Sequence, residues 1–492
     1  MKNTSLSLLS VIGGAIIFNF LFWEEKLGLN LLLYAVFFVA ILWLLFPQSR
    51  LSRSFIVTAF GAIFSALMVL WHNSAAAKLS TLVALMCSAG FAQEPQIRFV
   101  LNALGQYLTG WLQTPRHFYE ALNTNDQKSN AKGISWSKKM GLTVVPFMVV
   151  AVFYLLYYAA NEKFALWADR FWAQVGRIFT FDISWPHLVF WIFGFFVAGA
   201  AFWKNQSGIA KDDLTSSDEL HRIRPPKNRY IESRFMMGLK REFQQDLILL
   251  WMLNGLLLLV NLTDITYVWF GFDTEALQDL KGYVHEGTYF LISSILLAMA
   301  VLFYTFRSNI NFYPANAKLK TAAYIWLAQN AILALSVGVR NARYIEYHGL
   351  AYKRIGVVLF LILVFYGLVT LYQKIKFTKT AMWIWRKNAW ALFALMVINS
   401  SIAWDVFITR YNLSGAAKGA IDVQFMIFEV SMKNLHVLES QIDALPGLNM
   451  YPQMTESEIR DGVQKKRLIF ERHMQVLTWK SLNFGDLANA PK

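Results

Sequence analysis

Long apolar runs without a charge constrain this chain more than any other feature of its sequence. The run from Leu6 to Trp23, for example, contains no charged residue. A helix needs about 20 mostly apolar residues to cross the hydrocarbon core, and it bonds its backbone amides within the segment. Outer-membrane barrels would instead show strands of alternating hydrophobicity, a pattern that this sequence lacks. We therefore expect an all-α, polytopic transmembrane bundle.

Eleven segments have this length and composition, so the sequence predicts about 11 membrane spans. They lie at 6–23, 29–46, 54–71, 75–92, 141–160, 187–203, 247–270, 286–304, 321–339, 355–373 and 388–404. The segment 75–92 has the weakest signal, because it contains Lys78 and many small residues. The first segment is too long for a signal peptide, and Glu24 and Glu25 replace the small residues of a cleavage site. We therefore expect an uncleaved first span.

Composition agrees with a membrane protein and excludes several other classes. Of the 492 residues, 56% are apolar and only 16% are charged, whereas soluble domains carry about a quarter charged residues. Cys87 is the single cysteine, so no intrachain disulfide framework exists. Collagen-like and disordered chains are excluded by the same composition.

The formal net charge of +15 has a topological explanation. Lysine and arginine concentrate in alternate connecting segments, above all in 93–140, 204–246 and 374–387. Cytoplasmic loops carry such an excess. We therefore predict a cytoplasmic N-terminus and, after an odd number of spans, an extracytoplasmic C-terminus. Because the charge reports orientation, we expect no nucleic-acid partner, although the basic loops are candidates to contact anionic lipid headgroups of the bilayer.

The spans and loops divide the chain into six parts. They are an N-terminal four-helix membrane segment (1–92), a cytoplasmic loop with an interfacial amphipathic helix (93–140), a transmembrane hairpin (141–203), a basic cytoplasmic loop (204–246), a transmembrane core (247–404) and an extracytoplasmic helical tail (405–492). The interfacial helix is predicted over 96–113, where apolar residues recur at helical spacing. Asn102, Gln106 and Thr109 occupy its other face, a pattern typical of helices lying in the membrane interface.

The tail has the pattern of two amphipathic helices. Around 419–440 the apolar residues share one face; they are Ile421, Phe425, Phe428, Met432, Leu435 and Leu438. A second helix is predicted to begin at Thr455, where Glu458 completes a capping box. Two such helices bury little surface alone, so we expect them to pack on each other and on the outer surface of the membrane domain. This tail is a candidate contact for an envelope protein partner.

Polar residues at the ends of spans seven, nine and eleven form the candidate site, which we call the outer-face cluster. It comprises Asn261, Asp264, Arg340, Arg343, Glu346, His348, Arg354, Asn399, Asp405, Arg410 and Asn412. Ionisable groups near a bilayer are costly and often functional, and the topology brings all three span ends to one face. The basic loop 340–354 breaks the positive-inside trend, which indicates paired charges. Two interpretations remain, a structural network joining helix ends or a site for an anionic ligand such as a phosphate or lipid headgroup.

Enzyme signatures are missing from the sequence. It contains no Walker loop, HExxH, CxxC, G-x-S-x-G or dinucleotide fingerprint, and the pair of Glu346 and His348 is too sparse for a metal site. We therefore predict no catalytic residue, metal or cofactor, and a membrane-embedded enzyme is only the third hypothesis. The first is a non-enzymatic envelope scaffold or sensor. The second is a transporter or lipid-handling protein that binds an anionic ligand at the outer-face cluster.

Several segments of the second half resemble a known family. The segment 343–354, RYIEYHGLAYKR, is similar to the hallmark Y-G-L-T-x-x-R of a bacterial integral membrane family, the domain of unknown function 4173, which is related to the 4153 group. The Asn-rich seventh span and the segments 399–412, 435–448 and 479–483 are also similar to it. The likeness covers about 240–490, whereas the first half looks generic.

The resemblance implies a location in the bacterial cytoplasmic (inner) membrane but no known activity. Ala351 departs from the hallmark, which has Thr at this position, so a hydroxyl role is in doubt there. The resemblance supports the outer-face cluster as a shared feature of the family. The positions that carry it over are Tyr347, Gly349, Leu350, Arg354, Asp405, Arg410 and Asn412.

Overall fold

The structure is a computed structural model in which every regular element of the described ranges is a helix. It describes residues 2–122, 150, 153–154, 156–178, 184–205, 207–222, 238–270, 280–307, 309–416, 418–448 and 452–490. The helices are α1 (Lys2–Phe22), α2 (Leu29–Leu45), α3 (Arg53–His72), α4 (Ala75–Gln93), α5 (Val100–Leu122), α6 (Glu162–Ile178), α7 (Trp185–Phe202), α8 (Ile209–Thr215), α9 (Leu239–Asp264), α10 (Leu280–Thr305), α11 (Asn316–His348), α12 (Tyr352–Lys376), α13 (Ala381–Asn399), α14 (Trp404–Leu413), α15 (Leu435–Ser440), α16 (Glu456–Gln475) and α17 (Phe484–Leu487).

Six of the described helices are long and apolar enough to span a membrane, namely α3, α4, α7, α9, α11 and α12. A seventh span results if α13 and α14, which meet at a bend of 65°, count as one. Shorter apolar helices lie at Leu6–Phe22, Leu29–Leu45 and Phe290–Thr305. The chain is therefore an all-helical membrane protein, and the predicted number of about 11 spans is not confirmed. The predicted span 141–160 falls mainly outside the described residues, whereas the weakest segment, 75–92, forms α4.

Two hydrophobic cores organise the membrane helices. The first core joins α1 to α5 with α7 and includes Phe38, Phe91 and Phe202. The second core joins α9 to α12 through residues such as Leu250 and Leu327. Helix α13 follows the second core in sequence, but its Phe393 packs into the first core, where the ring of Trp390 stacks on Phe91 at 5.6 Å.

Helix α5 begins at Val100 and therefore contains only residues 100–113 of the predicted amphipathic segment 96–113, and its polar face also differs from the prediction. Gln106, expected on the face away from the bilayer, is fully buried, and its Nε2 donates to the carbonyl oxygen of Asn205 at 2.9 Å. Burial is tolerated there because the amide finds hydrogen-bond partners. Helix α5 therefore belongs to the first core, and its position in the membrane interface stays a prediction.

The first predicted helix of the tail is wrong, because 419–440 is not one helix. The chain forms a π-helical turn at Phe425–Glu429, a 3₁₀ turn at Met432–Asn434 and then α15. Phe428, predicted on the buried face, is 56% exposed. A side-chain hydrogen bond within the segment competes with the helical pattern, since the side-chain amide of Asn434 donates to the carbonyl oxygen of Met426 at 3.0 Å.

The second predicted helix of the tail is confirmed as α16. Thr455 and Glu458 form the capping box in full. The apolar side chains of Ile459, Val463 and Phe470 are buried against the segment that precedes α16. The tail therefore has its own small hydrophobic core.

Lys466 makes the stability of the tail depend on pH. Its buried ammonium donates to the carbonyl oxygens of Met426 and Val430 at 3.0 and 2.9 Å, and burial lowers its pKa from 10.5 to about 8. Between these values the unfolded tail holds a proton that the folded tail has released. The free energy of unfolding should thus rise with pH, by at most about 1.4 kcal/mol per pH unit. Below pH 8 both states hold the proton and the dependence vanishes.

The measurement is urea unfolding of the full chain between pH 7 and 10, followed by a fluorophore on a cysteine introduced at the exposed Arg460. Cys87 is buried, so the new thiol is the accessible one. We expect Lys466→Met to reduce the rise above pH 8 by the share of one titrating group, since the buried Lys433 of the tail also has its pKa lowered to about 8. An equal pH slope in the variant and the parent chain would assign the effect to another group.

Candidate functional site at the outer helix ends

A buried ion pair joins α9 to α11 within the outer-face cluster. The Nη2 atom of Arg340 lies 2.5 Å from Oδ1 of Asp264, and the two side chains are only 10% and 9% exposed. Asn261 lies one turn before Asp264 and donates to the carbonyl oxygen of Gln329 at 3.0 Å. Asn254 continues this polar seam, because its Oδ1 accepts from Nε2 of Gln329 at 2.9 Å. The polar face predicted on the seventh span therefore packs on the ninth predicted span.

Glu346, in the last turn of α11, links the membrane helices to the tail. Its carboxylate accepts from Nη1 of Arg343 at 3.2 Å and pairs with Nζ of Lys418 at 2.5 Å. The backbone strengthens this contact, since the amides of Lys418 and Gly419 donate to the carbonyl oxygens of Glu346 and Tyr347 at 2.8 and 3.0 Å. Arg343 and Glu346, the two charged residues of the segment 343–346, are thus both paired within the protein.

The turn after α11 explains the hallmark residues in physical terms. Gly349 has φ of 75°, and a Cβ there would lie 2.4 Å from Oδ1 of Asn412. Asn412 accepts from the amide of Leu350 at 2.6 Å and donates to its carbonyl oxygen at 3.0 Å. Arg354 donates to the carbonyl oxygens of His348, at 2.8 Å, and Gly349, while its guanidinium lies 4.3 Å from the ring centre of Tyr344. This set closes the turn and ties it to α14.

The other members of the outer-face cluster lie apart from these groups. Asp405 accepts from the hydroxyl of Tyr352 at 2.5 Å and from Ser431. Asn399 accepts from Nε1 of Trp404 at 2.9 Å, and Arg410 is exposed. The predicted residues therefore do not surround one cavity, and most of them bond to each other or to the tail. Within the described ranges, no three His, Cys, Asp or Glu side chains come close enough to hold a metal ion.

The far end of the tail docks on the loop between α1 and α2. Glu25 accepts from the hydroxyls of Thr478 and Ser481 at 2.6 and 2.7 Å and lies 3.5 Å from Nζ of Lys480. The amide of Leu29 donates to the carbonyl oxygen of Leu482 at 2.9 Å. The expectation that the tail packs on the membrane helices is consistent with these contacts.

Gly28 packs closely against the backbone of the tail, and Gly28→Ala should release the end of the tail. A Cβ at this position would lie 2.3 Å from the carbonyl oxygen of Ser481 and 2.7 Å from that of Leu482. Such overpacking destabilises the docked state by roughly 1–3 kcal/mol. This raises the population of the released state by about tenfold or more. We expect trypsin to cleave after Lys480 faster by that factor, as measured by mass spectrometry. Gly447→Ala, in the same tail, is the control, because a Cβ there meets nothing within 4 Å; equal rates for both variants would contradict the assignment.

Two groups of polar residues escaped the sequence analysis. Arg386 pairs with Asp213 at 2.9 Å, both nearly inaccessible to solvent, and also with Asp218. His72 and Lys433 line a cavity of about 250 Å³ together with Asp405. The sequence predicts only a basic loop over 204–246 and makes no prediction for Lys433, because nothing in the local pattern indicates either arrangement.

The comparisons with known proteins give one match. A family model described as a domain of unknown function (DUF4153) matches residues 29–441. The resemblance described above covered only about 240–490 and left the first half as generic, but the family model also matches most of that first half. Residues 479–483, which the resemblance included, lie outside the match. The relation to the 4173 group stays a prediction. No curated protein and no solved structure matches the chain.

Proposed function

Since the chain belongs to the DUF4153 family, whose description assigns no activity, we propose that it is a non-enzymatic scaffold or sensor of the bacterial cytoplasmic (inner) membrane. The observation that carries this proposal is the pairing of Glu346 with Arg343 of α11 and Lys418 of the tail. A cluster that holds a soluble tail against membrane helices supports a structural role. The second candidate, a transporter or lipid-handling protein with an anionic ligand at the outer-face cluster, is less supported, because Arg340 and Arg343 already pair with carboxylates.

The contacts of the tail support the proposed orientation. It bonds to the end of α1 through Glu25, to the end of α3 through Asn73 and to the end of α11 through Glu346. With a cytoplasmic N-terminus, the order of the predicted spans brings these three ends to the outer face. The tail is then extracytoplasmic, and the basic loops face the anionic lipid headgroups of the inner leaflet.

The exposed face of the tail supports a contact with an envelope protein partner. Four large apolar side chains in and after α16 are exposed: Leu468, Ile469, Val476 and Trp479. Ile469 and Val476 are seven residues apart, about two helical turns, so they lie on about the same face of α16 and its C-cap. Exposed apolar residues that share a surface mark interaction sites more often than residues scattered singly. The proposed partner therefore presents an apolar surface of its own to α16.

Site-specific photo-crosslinking in cells tests this proposal. A photoreactive residue at Ile469, which is 57% exposed, should yield a discrete crosslinked product with an envelope protein. The same residue at Arg460, earlier in α16, is the matched control and should not yield it. Absence of a product at Ile469, or an equal product at both positions, would contradict the scaffold or sensor role.

Thiol labelling of spheroplasts tests the orientation separately. Cys87 is buried, so an introduced cysteine is the accessible thiol. A membrane-impermeant maleimide should label Arg460→Cys in the tail and leave Arg222→Cys in the basic loop unlabelled until the membrane is opened. The reverse pattern would place the tail in the cytoplasm.

A further inference from the structure

A second cavity, of about 430 Å³, lies among the helices of the first core. Its walls come from α1, α2, α4, α5, α7 and the loop between α1 and α2. This volume is within the roughly 300–1,000 Å³ typical of ligand sites. The cavity is elongated along the helix axes, because Leu31 and Phe38 of α2 both line it and lie seven residues, about 10 Å, apart. A matching ligand is therefore a long one.

Aromatic rings that pack against one another form much of this wall. The ring of Phe18 contacts those of Tyr34, Phe190 and Phe193, with ring centres 5.6, 5.1 and 5.7 Å apart. Tyr34 also contacts Phe22, at 5.3 Å. All five rings line the cavity. Collapse of the wall into the cavity would separate these pairs and lose their favourable contacts, so the cavity is preformed.

The wall of this cavity offers few hydrogen-bond partners to water. The hydroxyl of Tyr107 donates to the carbonyl oxygen of Val197 at 3.4 Å, and the hydroxyl of Tyr34 is buried in the wall. Glu25 is the one charged residue among those that line the cavity, and its carboxylate is bonded to the tail, as described above. A buried water makes about three hydrogen bonds, and apolar cavities stay dry. A cavity of this size left empty would forfeit packing contacts along its whole lining, so an apolar occupant is favoured.

Two residues at the rim place the opening of the cavity at membrane depth. Leu82 of α4 and Phe193 of α7 line the cavity, yet they are 43% and 47% exposed. Each lies roughly 10–12 Å along its helix from the first helical residue, and both helices are long and apolar enough to span a membrane. The surroundings of this rim are therefore lipid hydrocarbon and not water.

Helices α4 and α7 begin at the same end of the bundle, the end on which the tail docks. Asn73, just before α4, accepts a hydrogen bond from Lys433 of the tail. His187, at the start of α7, stacks on Trp23 at the end of α1 with ring centres 4.1 Å apart. The two rim residues thus lie at matching depths, and the bonds between Glu25 and the tail cover the aqueous end of the cavity. A ligand reaches the cavity sideways, from the bilayer.

We propose that this cavity binds the acyl chain of a lipid, which enters from the bilayer past Leu82 and Phe193. An apolar, elongated and preformed cavity matches a hydrocarbon chain in chemistry and in shape. The chain can belong to a phospholipid or to a free fatty acid, and the experiment separates these sources. This site goes beyond the proposed scaffold or sensor role, because it needs neither the outer-face cluster nor a protein partner.

Photolabelling of the full chain in lipid nanodiscs tests the proposal. One arm uses phosphatidylglycerol with a diazirine on its acyl chain, and the other uses a fatty acid with the same group. Tyr34 and Phe38 are nearly inaccessible from outside, whereas Val36 of the same helix is exposed. Label on Tyr34 or Phe38, located by mass spectrometry, therefore reports a chain inside the cavity. Label there in the first arm identifies a phospholipid, and label in the second arm alone identifies a free acid. Label on Val36 alone in both arms overturns the proposal.

A variant at the rim assigns the label to this route of entry. Leu82→Trp places a larger side chain in the opening, so we expect the label on Tyr34 and Phe38 to fall by about tenfold or more. Leu79→Trp is the matched control, because Leu79 is an exposed residue of α4 that does not line the cavity. The label on Val36 should stay the same in both variants.

The buried thiol of Cys87 shows whether α4 keeps its packing in the variants. A maleimide reaction as slow as in the parent chain indicates that it does. If Leu82→Trp makes Cys87 reactive, Leu82→Phe gives the same test with a smaller ring. An unchanged label on Tyr34 and Phe38 in a rim variant with a protected Cys87 overturns the proposal, whatever the crosslinking at Ile469 shows about a partner.

Discussion

Asp264→Ala should lower the free energy of unfolding of the membrane domain by roughly 3–5 kcal/mol, the cost of leaving one partner of a buried ion pair without its counterpart. The variant leaves the guanidinium of Arg340, 10% exposed, without a carboxylate at the end of α9. The loss is large because the guanidinium of Arg340 still carries the free-energy cost of burial but no longer has the attraction of the Asp264 carboxylate. Unfolding by sodium dodecyl sulfate in mixed micelles, followed by circular dichroism, measures it.

Two controls separate this charge effect from a loss of packing. Glu346→Ala removes a carboxylate whose partner Arg343 is 42% exposed, so the expected loss is much smaller than that of Asp264→Ala. The double variant of Asp264→Leu and Arg340→Met should recover most of the stability, since apolar replacement of a buried pair is often neutral or stabilising. If Asp264→Ala costs no more than Glu346→Ala, the pair is not buried in the way the structure describes.

Gly90→Ala should disrupt the contact between α4 and α5. A Cβ at Gly90 would lie 1.9 Å from the carbonyl oxygen of Ala103 and 2.6 Å from its carbonyl carbon. Backbone atoms cannot rotate away as a side chain can, so the two helices must separate. We expect a loss at or above the upper end of the roughly 1–3 kcal/mol that overpacking costs.

The native cysteine reports this separation directly. Cys87 is fully buried, and its Sγ lies 4.0 Å from the carbonyl oxygen of Val100 at the start of α5. Its reaction with a small maleimide in micelles should therefore be at least tenfold faster in Gly90→Ala. Gly13→Ala in α1, where a Cβ meets nothing within 4 Å, is the control. An unchanged thiol reaction rate in Gly90→Ala would show that α4 and α5 can accommodate the methyl group.

The membrane helices could be predicted from the sequence, because the bilayer imposes a length and a composition on each of them. Even the doubtful segment 75–92 is helical and apolar enough to span. The break of 419–440 could not be predicted. Two side chains compete for the carbonyl oxygens of this segment: the ammonium of Lys466 bonds to that of Val430 from α16, and the amide of Asn434 bonds to that of Met426 from within the segment. Periodicity reports the local pattern of a helix but not such competing partners.

Only part of the candidate site could be predicted, because the sequence shows local charge patterns but not long-range partners. The surplus of cations in 340–354 indicated pairing, and Arg340 does pair with Asp264. Lys418 could not be identified as the second partner of Glu346, because a lysine in a polar tail carries no local sign of its contact. The pairing of Arg386 with Asp213 joins residues far apart in sequence. Long-range pairs of this kind depend on how the helices are arranged in three dimensions.

The path of α13 has a consequence for the integrity of the molecule. This helix follows α12 along the chain, yet Phe393 inserts among the N-terminal helices, and Arg386 at its beginning pairs with Asp213. We therefore expect a single cut within 223–237 to leave two fragments that stay associated, because Phe393 and Arg386 of the second fragment contact residues of the first. The parts of the chain before and after 223–237 therefore depend on each other for packing and are not independent modules.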